Sequence, residues 1–117
     1  MIYGIGIDIV DVHRFRAASE RFGEGFLRRL FTDKELGYCM TKRFPERHLA
    51  ARFAAKVSLF KAMGRSVRFT DVEVMRDEKG RPFFSVFPGE EGAFKFTLSL
   101  SHGKAFGIAE TIVEKVL

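Results

Sequence analysis

PERHLAARFAAKVSLFKAMG, residues 45–64, decides the fold, because it is the last helical stretch before the apolar period changes to two. Pro45 suits the first turn, where its missing N–H costs nothing, and Gly64 suits the position just past a helix end. Leu49, Phe53, Val57 and Phe60 fall on one stripe, with Arg47, Arg52, Lys56 and Lys61 on the other faces. This predicts a long helix with a core-facing stripe and solvated charges around it.

Upstream, residues 2–10 alternate as a strand. Ile5, Ile7 and Ile9 make its aliphatic face, and Gly4 and Gly6 lie beside Asp8 on the other, leaving space around a carboxylate. Over 12–22, Val12, Phe15, Ala18 and Phe22 recur at helical spacing among Arg14, Arg16 and Arg21, an amphipathic basic helix. Gly23 and Gly25 interrupt it before a short apolar turn or helix carrying Phe26, Leu27, Leu30 and Phe31. Thr32 with Glu35 forms a capping box and predicts a helix over 33–40.

Downstream, Val67, Phe69, Val72 and Val74 read as strand, DEKG at 77–80 as a turn and RPFFSVF at 81–87 as the returning strand. PGEEG at 88–92 is a second turn. Phe94, Phe96, Leu98 and Leu100 then alternate with polar residues, and HGK at 102–104 turns into a last strand over 105–114. Helices in the first half and antiparallel strands in the second give an α+β domain over 1–117, with the N-terminal strand added to the sheet and the long helix across it.

A chain of 117 residues that is 46% hydrophobic, with fourteen Phe, builds a core but needs a neighbouring subunit to enclose a large substrate. No apolar run approaches the roughly 18 residues of a membrane span, and the N-terminus lacks a basic leader, so a soluble cytoplasmic protein is expected. Cys39 is alone, which rules out an intrachain disulfide or a cysteine metal cluster. The formal charge of +5 favours an acidic partner; nucleic acid, anionic membrane, polyphosphate ligand and acidic protein are all compatible with it. A nucleic-acid module is disfavoured because the Phe residues follow core periodicity.

GIGIDIV at 4–10 is not a dinucleotide fingerprint, since Ile9 stands where the third glycine is needed. Asp8 reads as a polar strand end, a helix cap or a hard-metal ligand. Arg14 and Arg21 read as a solvated face or as a docking face for an acidic helix. His13, His48 and His102 have no zinc-ligand spacing, and no Ser/His/Asp set suggests a hydrolase.

MIYGIGIDIV with Asp11 behind it, ARFAAK at 51–56 with Phe60, Lys61, Ala62 and Gly64, GRP at 80–82 and SLSH at 99–102 occur together in one order over nearly the whole chain. In this they resemble the holo-acyl-carrier-protein synthases, short bacterial trimeric 4'-phosphopantetheinyl transferases. The resemblance implies that family's fold and transfer of phosphopantetheine from coenzyme A to a serine of an acidic acyl carrier protein, in fatty acid or polyketide synthesis. It implies Mg²⁺ on Asp8, with Asp8 and Lys61 catalytic. It places Arg47, Arg52, Lys56, Gly64 and His102 at the nucleotide part of coenzyme A or in ordering the site, and Arg14, Arg21, Phe22 and Phe53 against the carrier protein. Sites shared between subunits of a homotrimer follow as well.

The chain departs from that pattern at three places. Val57 stands where the family's second metal-ligating Glu belongs, Arg65 and Ser66 follow Gly64 in place of a Gly-Thr-Gly loop, and Gly103 follows SLSH in place of an acid. Buried on the stripe, Val57 would contribute about 1.5–3 kcal/mol to the metal-free fold, and Arg65 offers a replacement phosphate contact. The alternative implied is a weakened or inactive relative that binds the carrier protein or coenzyme A.

Overall fold

The computed structural model describes residues 1–85, 89 and 92–116. Val86 and Phe87 of the returning strand, and Pro88, Glu90 and Glu91 of the PGEEG turn, lie outside the described residues. Strand β1 (Ile2–Asp11) leads into helices α1 (Val12–Leu30), α2 (Asp33–Met40) and α3 (Pro45–Met63). A 3₁₀ turn (Phe69–Asp71) and strands β2 (Glu73–Arg76), β3 (Pro82–Ser85), β4 (Phe94–His102) and β5 (Phe106–Lys115) follow. The strands form two antiparallel ladders, β1-β5-β4 and β2-β3, and α3 crosses the larger one. The α+β arrangement is as expected, with β1 on the edge of the main sheet.

The local signals work as read in several places. Pro45 opens α3 and Gly64 closes it in the left-handed conformation at φ 73°. The capping box of α2 is complete. Asp11 caps α1, its carboxylate accepting from Arg14 N at 3.0 Å, so Asp8 is not needed as a cap. Gly23 kinks α1 at φ 77°, dividing the basic segment from the apolar one.

Three expectations are corrected. Val67 and Phe69 are not strand: the step of three from Phe69 to Val72 is the 3₁₀ period, and Arg68 clamps the turn through two 3.1 Å contacts to Asp71. The space beside Gly4 and Gly6 is not open, because α3 fills it. A Cβ on Gly4 would stand 1.9 Å from Ala62 O, and one on Gly6 1.9 Å from Ser58 O. These glycines let strand and helix backbones touch, and the Ser58 and Thr111 hydroxyls, 2.7 Å apart, pin the same interface. Consequently the isoleucine face of β1 points away from the core, with Ile5, Ile7 and Ile9 each more than half exposed.

The third correction concerns α3, which is buried on nearly every side. Besides Leu49, Ala50, Ala51, Ala54, Ala55 and Leu59 it buries Arg52 at 2% exposure and Lys56 at 0%, whereas Phe53 and Val57 of the predicted core stripe are only half-buried. A helix between a sheet and two other helices has no fully solvated face to give its charges.

Candidate active site

Asp8 lies on the face of β1 that meets α3, and the close backbone approach brings Lys61 to it. Lys61 Nζ stands 3.2 Å from Asp8 Oδ1 and donates to Ile7 O at 3.0 Å. The lysine side chain is about half exposed and the carboxylate is mostly covered. Val57 and Phe53 sit one and two turns earlier on the same stripe of α3. Phe53 joins Asp8, Asp11, Arg14 and Phe26 in lining a groove of about 790 Å³ between β1, α1 and α3. Its lining is rich in phenylalanine, with Asp8, Asp11 and Arg14 as the charged members.

Phe26 also lines a second hollow, of about 460 Å³, with Phe22, Gly25 and Arg29. Phe22 is exposed, and the Arg21 guanidinium carbon lies 5.3 Å from its ring centre. The four residues expected at the carrier protein therefore fall along one continuous surface, Phe53 and Arg14 near Asp8 and Arg21 and Phe22 farther along α1. Phe26 and Arg29 belong to that surface too. Their helical spacing from Phe22 was the available signal, but the glycines at 23 and 25 obscured it.

Lys56 is elsewhere. Its ammonium donates to Glu35 Oε1 at 2.7 Å, Leu30 O at 2.8 Å and Phe69 O at 2.8 Å, and both charged side chains are fully buried. Burial pulls its pKa below the ordinary lysine value, against the attraction of Glu35. An ammonium has three N–H donors, and all are used. Lys56 has no surface to offer a nucleotide; it ties the ends of α1 and α2 to the loop before β2. This corrects the reading as a solvated charge, and it leaves the ammonium no free donor for a nucleotide.

Arg52 and His102 gather with residues the sequence reading missed. The Arg52 guanidinium carbon lies 4.4 Å from the Tyr38 ring centre, and the His48 and His102 rings are 4.3 Å apart. Arg52 Nε and Nη1, Arg76 Nε and His48 Nδ1 are buried without a protein partner. A cavity of about 250 Å³ runs between Tyr38, Arg52 and Arg76, with Lys34 and the Lys56-paired Glu35 also in its lining. Burial, reinforced by His102 and Arg52, pushes the His48 pKa down to about 4, and burial with Arg76 and Arg52 lowers that of His102. At Tyr38 burial acts upward, yet Arg76, Lys42 and Arg52 together bring the phenol below its usual value. Cations crowd here with donors to spare, which suits an anion. No spacing rule links positions 38, 48, 76 and 102, so only the fold assembles them. Arg47 lies over the Phe44 ring at 4.0 Å near the start of α3, while Gly64 is at its far end.

A resident Mg²⁺ asks for oxygen ligands with net negative charge. Among the described residues no three His, Cys, Asp or Glu side chains group closely enough to hold a metal. Asp8 already faces an ammonium, and one turn before Lys61 on α3 the chain has Val57. The residues do not fit a resident divalent ion. Among the described residues no helix is long and apolar enough to cross a membrane.

Residues 4–111 match the family model of the 4'-phosphopantetheinyl transferase superfamily. The chain is similar to the holo-(acyl-carrier-protein) synthase of Halothermothrix orenii, 39% identical over 98% of this chain and 99% of that one. It is 40% identical to that of Koribacter versatilis, over 97% and 99%. Among solved structures it resembles a holo-(acyl-carrier-protein) synthase from Neisseria meningitidis, with TM-score 0.88 and 34% identity over 98% and 100% of the two chains. It also resembles one from Bacillus anthracis in complex with CoA (3',5'-ADP), with TM-score 0.86 and 31% identity over 99% of each.

Proposed function

The chain belongs to the 4'-phosphopantetheinyl transferase superfamily, and on that premise we propose that it moves the 4'-phosphopantetheine arm of coenzyme A onto a serine of an apo acyl carrier protein. The observation that carries this reading is the Lys61 ammonium, held by Asp8 and Ile7 O at the end of an aromatic groove. In the transfer the serine oxygen bonds to the phosphorus bearing pantetheine, the bridging P–O bond breaks, 3',5'-ADP leaves with that electron pair and the serine proton passes to solvent water. Such chemistry needs positioning and charge neutralisation more than covalent help. Lys61 neutralises the phosphate oxygens, and Asp8 orients Lys61. Arg52 and His102, with Arg47 nearby, receive the nucleotide phosphates, a role supported by the orphaned donors of that pocket.

For the Mg²⁺ the resemblance implies, Asp8 is the one carboxylate this site would offer, and it is already paired with Lys61, so such an ion would have to be held mainly by pyrophosphate and water. Arg14, Arg21, Phe22 and Phe53 receive the acidic carrier protein, consistent with the +5 charge. The apolar face carrying Ile5, Ile7, Ile9 and Ile108 packs against further copies of the chain in a cytoplasmic homotrimer. A second reading, a binder without turnover, is favoured by Val57 alone.

Incubation with coenzyme A, Mg²⁺ and an apo carrier protein is expected to add one phosphopantetheine to the carrier's mass. No shift on several carriers that a known synthase modifies would sink the proposal. A large gain on Val57→Glu from near-zero activity would support the binder instead.

A further inference from the structure

We infer that the Lys61 ammonium is the built-in cation of the Asp8 carboxylate, and that Val57 leaves this chain without a resident divalent-metal site. Asp8 and Lys61 together are neutral, and the lysine is anchored twice, by the carboxylate at 3.2 Å and by Ile7 O at 3.0 Å. A dication placed at Asp8 would meet an ammonium within contact range and one carboxylate to offset it, which disfavours it against water.

The stripe then shows where a second carboxylate would have to stand. Phe53 lines the groove with Asp8, and Lys61 touches Asp8 directly. Position 57 lies between them on α3, one turn from each. There the chain has a half-buried valine, which ligates nothing. Lys56, next in sequence, cannot alter the balance, because it points into the core and its charge is matched by Glu35.

The inference rests on the proposed transferase site but concerns its free state, so it is tested without coenzyme A or carrier protein. Mn²⁺ is titrated into the whole chain and the free-ion signal followed by electron paramagnetic resonance. Wild type is expected to take up Mn²⁺ no more tightly than Asp8→Asn, and Lys61→Met to bind a few-fold more tightly than wild type because the carboxylate is released. Val57→Glu is expected to gain at least tenfold, and Val57→Glu with Asp8→Asn to lose that gain. Stoichiometric uptake by wild type that Asp8→Asn abolishes would overturn the inference, and that pair decides the matter even where the glutamate variant misfolds. Failure of phosphopantetheine transfer leaves these Mn²⁺ readings unaffected, so the two proposals fail separately.

Discussion

Lys56 and Lys61 stand little more than one turn apart on α3, and each pairs with a carboxylate supplied by another element. Lys56 meets Glu35 at 2.7 Å with neither side chain exposed; Lys61 meets Asp8 at 3.2 Å with the lysine 55% exposed. The inner pair is closed. Its donors end on Glu35 and two backbone carbonyls, and Glu35 spends its other oxygen on Val74 N at 2.8 Å. The outer pair keeps N–H capacity and a solvated side, so an arriving anion can be met without taking the fold apart. Identical chemistry is sealed in the core in one place and left open to solvent in the other, and the difference is set by which side of α3 each residue leaves from.

The largest effect follows from breaking the inner pair. Lys56→Met leaves the buried Glu35 without its counter-charge and takes a donor from Leu30 O and Phe69 O, and losing one partner of a buried ion pair typically costs about 3–5 kcal/mol. Urea unfolding at fixed protein concentration is expected to show that loss, with Glu35→Gln destabilised in the same direction. A change under about 1 kcal/mol for Lys56→Met would mean that the pair does not clamp the fold.

The two pairs also differ in how far the sequence revealed them. Thr32 and Glu35 are three apart, so the capping box was legible, but the same carboxylate also holds Lys56, 21 residues away, and Val74 N, 39 away. Periodicity shows a helix its own neighbours and not what packs on it, so Arg52 and Lys56 read as solvated. Gly4 and Gly6 were legible as small, but a pattern of small residues does not distinguish a vacancy from a close approach. The family resemblance alone put Asp8 and Lys61, 53 residues apart, in one site, and their direct contact was not legible at all. Caps and helix ends were readable because their determinants are local; the cationic pocket of Arg52 and His48 was not, because its residues come from separate elements.

A smaller effect is expected at the contact that places Lys61. Gly6→Ala puts a methyl into Ser58 O, a backbone atom that cannot swing aside, so strand and helix must separate. Overpacking of this kind costs about 1–3 kcal/mol. The same displacement pulls Lys61 from Asp8, so transfer is expected to fall more than stability explains, while the clamp at Lys56 stays formed. Alanine with wild-type stability and transfer would show that the approach is looser than its geometry.

The smallest stability effect belongs to the outer pair itself. Lys61→Met removes an ion pair whose lysine is screened by water, and exposed pairs are worth about 0–1 kcal/mol. Met keeps most of the aliphatic stem, so packing on α3 is retained. The urea midpoint is therefore expected to stay close to wild type. Phosphoryl transfer should nonetheless drop by about two to three orders of magnitude, the usual consequence of deleting one preorganised charge-stabilising group. Lys61→Arg keeps the charge but replaces a compact ammonium with a wide planar fork, which cannot reproduce the joint contact with Ile7 O and Asp8 and should recover only part of the rate. Loss of stability in Lys61→Met as large as in Lys56→Met would erase the contrast between the pairs, and full activity would remove Lys61 from the site.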